Sequence, residues 1–178
     1  MERVKVLDKE FELTIPEEKI LKAVDDVAMR INRDLDGTNP LLVCVLNGSF
    51  MFASDLMKRI TIPCEISFVK LSSYQGTGSS GKVKELIGLN ETIEGRTIVL
   101  LEDIVDTGLT IINTIDQVKA MGPADVRVAT MLFKPEACKK DVTLDYVGMN
   151  IPNDFIVGYG LDYDGFGRNL RNIYTLVE

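Results

Sequence analysis

A chain of 178 residues with 46% hydrophobic content is long enough to bury a substantial core and too apolar to stay disordered, so one compact domain is expected. Histidine is absent, which excludes histidine bases, triads and imidazole metal sites and leaves a carboxylate, or less often Lys, Tyr or Cys, as any general base. The formal net charge of −7 argues against a broad phosphate-neutralising surface, so the expected partner is a small molecule and not a nucleic acid.

The opening MERVKVLDKEFEL is too charged for a signal peptide. Thr14-Ile-Pro-Glu17 has the form of a capping box with Pro16 in the first helical turn, and Ile20, Val24, Val27, Ile31 and Leu35 then recur at helical spacing, which predicts a packed amphipathic helix. Next comes the apolar run Leu41-Leu-Val-Cys-Val-Leu46, bounded by turn residues and read as a buried parallel strand. It is the longest such run and far short of the roughly 20 residues a membrane-spanning helix needs, so no membrane partner is expected and the protein should remain in the cytoplasm. Residues 50–60 look helical and 65–71 look like a second strand, followed at 72–82 by a small-residue stretch without apolar period that reads as a mobile loop. Further strands are predicted at 83–87, 97–101, 126–133 and 155–158, with a helix over 108–121 stopped by Gly122-Pro123. Strand and helix alternate through the middle, which predicts the α/β class: a parallel sheet covered by helices. Cys44, Cys64 and Cys138 lie far apart in or beside apolar segments, and are read as core thiols of a reducing compartment, neither disulfide-forming nor zinc-binding.

The informative segment is Thr97-Ile-Val-Leu-Leu-Glu102-Asp103-Ile-Val-Asp106-Thr107-Gly108-Leu109-Thr110, an apolar strand that ends in acids and a glycine-hydroxyl turn opening a helix. In an open α/β sheet this strand-end crevice is where ligands bind. Amides at a helix start, with the hydroxyls of Thr107 and Thr110, suit a phosphate monoester. The three acids could face hydroxyls, a metal ion or a proton to be removed, or be solvated loop and cap residues.

LLEDIVDTGLT resembles the phosphoribosyl-pyrophosphate signature of type I phosphoribosyltransferases, and other segments resemble the hypoxanthine-guanine branch of that family in the right order over nearly the whole chain. Val45 to Phe52 is similar to its pyrophosphate loop, Ser72-Ser73-Tyr74 and the following glycines to its catalytic flap, and Met131-Leu-Phe-Lys134 to the strand carrying its purine-recognising lysine. Asp154 to Tyr163, with Arg168, resembles its purine hood. The one departure is Asn47, where the family usually carries a basic residue; the loop contacts pyrophosphate through its backbone there, often across a cis peptide.

The resemblance implies a parallel-sheet phosphoribosyltransferase fold, a single domain over 1–178 with a small purine-binding hood made from both termini, acting in purine salvage on phosphoribosyl pyrophosphate with hypoxanthine and guanine. It implies that Glu102 and Asp103 hold the ribose hydroxyls and Mg2+, that Asp106 is the base, and that Asp106, Thr107, Gly108, Leu109 and Thr110 hold the 5′-phosphate. Leu46, Asn47, Gly48 and Arg168 would bind pyrophosphate. Lys134, Phe155, Ile156 and Asp162 would bind the purine, with Asp162 also approaching a second magnesium, while Ser73 and Tyr74 would close over the reacting centre. A homodimer or homotetramer is the implied assembly.

Two competing motifs fail on their own terms. Gly76-Thr-Gly-Ser-Ser-Gly-Lys82 lacks the Ser or Thr after its lysine that a triphosphatase loop needs for magnesium, and the residues after that lysine look like a strand where such a loop opens a helix. Asp162-Tyr-Asp-Gly165 places its glycine too early for a calcium loop and has no closing glutamate. A phosphoribosyltransferase-fold regulator that binds RNA and senses a nucleotide is the rival reading, and the acidic composition with the Lys134 and Phe155 pattern speaks against it.

Overall fold

The computed structural model describes residues 2–74 and 83–177. In chain order they form β1 (Arg3–Val6), β2 (Lys9–Ile15), α1 (Glu17–Asp34), β3 (Leu41–Leu46), α2 (Phe50–Met57), β4 (Glu65–Tyr74), β5 (Val83–Ile87), β6 (Thr97–Val105), α3 (Leu109–Lys119), β7 (Asp125–Phe133), β8 (Tyr146–Asn150), β9 (Ile156–Val157) and β10 (Ile173–Leu176). Six strands make the main sheet in the order β5-β4-β3-β6-β7-β8. All its neighbours are parallel except β5, which runs antiparallel to β4.

Strand period 2 sends alternate side chains to opposite faces, and here both faces are covered. Leu42 and Cys44 of β3, with Val99 and Leu101 of β6, pack under Ile20, Val24, Val27 and Ile31 of α1 and Phe52 and Leu56 of α2. Leu41, Val43 and Val45, with Ile98 and Leu100, pack on the other side with Ile111 and Val118 of α3. That two-sided burial is why β3 reads as an unbroken apolar run. From β3 the chain steps to β4 on one side, while β6 lies on the other, so the carboxyl ends of β3 and β6 flank a crevice.

A second sheet, β1-β2-β10-β9, is antiparallel and joins the two ends of the chain over a small core of Val6, Phe11, Val157 and Tyr174. Sequence patterning had no expectation for β1, β2, β8 or β10, since these short strands carry charged or mixed residues without a clear apolar alternation, and β10 pairs with β2 from the far end of the chain. The predicted helix at 50–60 ends at Met57, and the strand at 97–101 continues to Val105, carrying two acids inside the sheet.

The capping box at Thr14 does not form. Thr14 belongs to β2 and its hydroxyl donates to Thr175 Oγ1 at 2.6 Å, Pro16 is the cap residue, and no side chain of the cap residue closes the helix start. The first helical amide, Glu17 N–H, donates instead to Asn172 Oδ1 at 2.8 Å, so the C-terminal segment caps α1. Asn172→Ala should therefore destabilise the protein by about 1 kcal/mol, the usual worth of a lost cap, read as a lower urea midpoint at unchanged slope; an unaltered midpoint would remove that cap from the account.

Candidate active site

The end of β6 carries one buried acid, Glu102, and one half-buried acid, Asp103. Glu102 is 6% exposed, and its Oε1 is the one buried side-chain polar atom among the described residues with no hydrogen-bond partner. Burial, reinforced by the neighbouring Asp103 charge, pushes its carboxyl well above the ordinary glutamate range. Burial likewise pushes Asp103 up to about 6, against the pull of the Ile104 amide and the Arg168 charge. That amide donates to Asp103 Oδ1 at 2.7 Å. These two are therefore not solvated cap residues, whereas Asp106, just past the strand, is exposed.

Glu102 through Gly108, with Thr110 and Ile111, line a cleft of about 260 Å³. Gly108 is the cap residue of α3 in left-handed backbone (φ +85°), and the Leu109 amide faces Thr107 Oγ1 at 3.4 Å. A Cβ on Gly108 would lie 3.2 Å from Cys138 Sγ, so the turn is backed closely by the segment after β7. With a glycine turn opening a helix whose first amides have no partner one turn back, the cleft floor is an anion cradle.

The loop after β3 closes one side. The Leu46–Asn47 peptide is cis, as the resemblance implied, and Gly48 lies so near Asp103 that a Cβ there would sit 1.6 Å from Asp103 Oδ2. Only glycine permits that approach. Opposite it, Arg168 bonds the Gly160 carbonyl at 2.8 Å and pairs with Asp162 at 2.8 Å, while Asp162 also accepts from the Gly165 amide at 2.7 Å. The Asp162 charge is felt at Asp103, where it raises the pKa.

Lys134 follows β7 and is nearly buried at 7% exposure, its Nζ 3.5 Å from Asp106 Oδ2. Its backbone amide donates to the Val105 carbonyl at 3.0 Å, which carries the β6–β7 pairing one residue past the strands and brings lysine and aspartate side by side. Ile156 opens β9 of the small sheet, and Phe155 directly precedes it. Phe155 is 47% exposed, and is propped by buried Phe11 at 6.2 Å and by Tyr163 edge-on at 6.0 Å between centroids. Ser73 and Tyr74 close β4 opposite Lys84 and Val83, but their side chains and residues 75–82 of the expected flap lie outside the described residues. Among the described residues no three His, Cys, Asp or Glu converge to hold a metal by themselves, so Glu102, Asp103 and Asp162 are not a preassembled ligand set.

A family model, "Phosphoribosyl transferase domain", matches residues 15–164. The chain belongs to the phosphoribosyltransferase family. This phosphoribosyltransferase is 41% identical over 175 residues, 97% of each chain, to the hypoxanthine-guanine phosphoribosyltransferase of Streptococcus thermophilus strain CNRZ 1066. It is 44% identical over 163 residues, 91% of each chain, to that of Streptococcus mutans. A crystal structure of a hypoxanthine phosphoribosyltransferase from Staphylococcus aureus superposes with a TM-score of 0.86 at 36% identity, covering 93% of this chain and 91% of that one. The phosphoribosyltransferase fold and the collinear motifs read from the sequence thus agree with what the chain is similar to.

Sequence reasoning missed the parts that buttress this site. Phe11 behind Phe155, Cys138 behind Gly108, and a bond from the Tyr159 hydroxyl to Asp55 Oδ2 at 2.7 Å join segments distant in the chain, while Tyr163 props Phe155 from within the same segment. Only the glycine-rich Gly158-Tyr-Gly160 carried a visible signal, that of a tight turn.

The raised pKa of Asp103 sets a stability trend. From 3.8 in the open chain to about 6 in the fold, the folded protein holds more protons between those values, so the stabilisation present below pH 4 is lost as pH rises through 6. Asp103 keeps an edge open to the cleft, which limits the effect to about 1–2 kcal/mol. Asp103→Asn should flatten the dependence of unfolding free energy on pH between 4 and 6 and melt higher than the parent at pH 7.5; a lower melting point at pH 7.5 would contradict the burial argument.

Proposed function

We propose that the chain transfers the phosphoribosyl group of phosphoribosyl pyrophosphate to hypoxanthine, and to guanine, releasing IMP or GMP and pyrophosphate in purine salvage. The observation that carries this reading is the pair Lys134 and Asp106, a buried cation with only donors to offer beside an exposed carboxylate at 3.5 Å, next to the anion cradle. A six-oxo purine presents an acceptor to the lysine and a ring N–H to the aspartate. The bonds exchanged are simple: the lone pair of the purine ring nitrogen forms the new bond to the anomeric carbon, the bond to pyrophosphate oxygen breaks with its electrons going to the leaving group, and Asp106 receives the ring proton.

Each remaining residue manages charge or position around that exchange. Residues 106–110 hold the 5′-phosphate in the cradle after β6, and Glu102 and Asp103 face the ribose hydroxyls. The backbone of Leu46, Asn47 and Gly48, with Arg168, receives pyrophosphate; the Asn47 side chain adds no charge there. Phe155 stacks on the base, Ile156 meets its edge through the backbone, and Asp162 lies toward its two-position. Ser73 and Tyr74 exclude water that would compete as nucleophile.

The donor set fits magnesium. Glu102 Oε1 is buried and has no partner among the described residues, Asp103 adjoins it, and a small hard cation takes one or two carboxylates and completes its shell with water and substrate oxygens. Glu102 and Asp103 would hold it, with Asp162 near a second ion, and bound there it would neutralise charge on the leaving pyrophosphate.

The whole chain acts as one phosphoribosyltransferase domain, with the small sheet from both termini as the purine hood. Three free thiols support a reducing, cytoplasmic setting, and among the described residues no helix is long and apolar enough to cross a membrane. The assembly implied by the resemblance is a homodimer or homotetramer.

Steady-state kcat/KM for hypoxanthine, guanine, xanthine and adenine, in parent, Asp106→Asn and Lys134→Met, tests the reading. Asp106→Asn should lose roughly 10²–10⁴-fold in kcat with its fold intact. Adenine, which sets an amino donor against the lysine, should be a poor substrate of the parent, and Lys134→Met should narrow the six-oxo advantage by a mismatch of about 1–3 kcal/mol. Efficient adenine use by the parent, or full activity in Asp106→Asn, would sink the assignment.

A further inference from the structure

Residues 158–161 form a two-residue hairpin turn, with the Gly158 amide donating to the Leu161 carbonyl and the Leu161 amide to the Gly158 carbonyl, both at 3.0 Å. Its first central residue is Tyr159 at φ +47°, a left-handed position where Gly or Asn is the ordinary choice. A bulky residue persists in such backbone only when its surroundings hold it. Tyr159 is held at both ends. Its amide donates to the Leu170 carbonyl at 2.7 Å, and its side chain, 5% exposed, donates its hydroxyl to Asp55 Oδ2 at 2.7 Å. Asp55 is fixed through its other oxygen by Lys58 at 2.9 Å. Burial, reinforced by the Asp55 bond, raises the phenol above its ordinary value, so it stays a donor throughout the working pH range.

The two elements so joined carry the two halves of one wall. Asp55 sits on α2, which begins immediately after the loop 46–48. The second central residue of the turn, Gly160, lies against that loop: a Cβ on Gly160 would be 1.9 Å from the Gly48 carbonyl oxygen. Gly160 also accepts from Arg168 through its carbonyl and donates to the Arg168 carbonyl at 3.0 Å. Gly48 in turn lies against Asp103. One chain of contacts therefore runs from Asp55 through Tyr159 and Gly160 to Arg168 on one side and Gly48 on the other.

We infer that the Tyr159–Asp55 hydrogen bond is a clamp that sets the loop 46–48 at a fixed distance from Arg168, making Tyr159 a positioning residue for the pyrophosphate group of the substrate and product. The inference rests on the proposed function, in which that loop and Arg168 receive pyrophosphate. Neither Tyr159 nor Asp55 touches the base or the ribose in that reading. Their loss should fall on pyrophosphate recognition and leave base recognition alone, a division that general loosening of the fold would not produce.

The test compares parent, Tyr159→Phe, Asp55→Asn, Asp55→Ala and the Tyr159→Phe/Asp55→Ala double variant. Pyrophosphate is titrated calorimetrically in the presence of magnesium, and KM is measured separately for phosphoribosyl pyrophosphate and hypoxanthine, with melting temperature alongside. Tyr159→Phe should weaken pyrophosphate binding and raise the KM for phosphoribosyl pyrophosphate roughly tenfold, because small misplacements of positioning groups cost about that or more, with the hypoxanthine KM within about twofold. Asp55→Asn keeps an acceptor for the hydroxyl and should behave like the parent. Asp55→Ala should match Tyr159→Phe, and the double variant should be no worse than either, since the two act as one unit. Unchanged pyrophosphate affinity in Tyr159→Phe, an equal loss for hypoxanthine, or additive single losses would overturn the clamp. A parent that binds pyrophosphate but forms no nucleotide would overturn the assigned reaction instead.

Discussion

Two adjacent carboxylates at the end of a central strand are the constraint around which the rest of this site is arranged. A sheet interior disfavours charge, and the fold nevertheless carries Glu102 and Asp103 into it, one with a buried oxygen that finds no hydrogen-bond partner among the described residues. Such a cost is retained where function requires it, and in the proposed reaction a cation and a polyhydroxylated substrate would supply the missing partners. The flanking strands β3 and β7 are packed on both faces, so the hydrophobic core holds the acids in place even without those partners.

Around that pair the neighbouring backbone comes unusually close. Gly48 leaves no room for a side chain beside Asp103, and Gly160 leaves none beside Gly48. Arg168 sits between the Gly160 carbonyl and Asp162, a cation already desolvated in part and directed along the same wall. On the far side Lys134 and Asp106 meet because β6 and β7 pair in parallel up to Val105 and Phe133. The meeting of Lys134 and Asp106 therefore depends on strand register: a one-residue slip of β7 would carry the lysine to the opposite face.

Much of this was legible in the sequence because the strands of a doubly covered sheet are continuous apolar runs. Leu41–Leu46 emerges with the bounds read from its pattern, and LLEDIVDTGLT announced both the acids at the strand end and the glycine turn that opens α3. Of the small sheet only β9, inside the strand expected at 155–158, was legible from local pattern: β1 and β2 are charged and mixed, β10 pairs with β2 across almost the whole chain, and nothing local encodes that pairing. The α1 start shows the same limit. Its local motif pointed to Thr14, while the group that serves it is Asn172, brought close only by the finished fold. Buttressing contacts such as Phe11 with Phe155 and Tyr159 with Asp55 are tertiary in the same sense.

The claim that the buried acid pair is built to receive a magnesium-bound sugar phosphate is open to direct measurement. Calorimetric titration of the parent with phosphoribosyl pyrophosphate, with and without magnesium, should give tight binding that weakens when the metal is withheld. Glu102→Gln together with Asp103→Asn should abolish the metal-dependent part while leaving the protein folded and at least as stable thermally at pH 7.5. The same affinity in the double variant as in the parent, or binding indifferent to magnesium, would contradict the account.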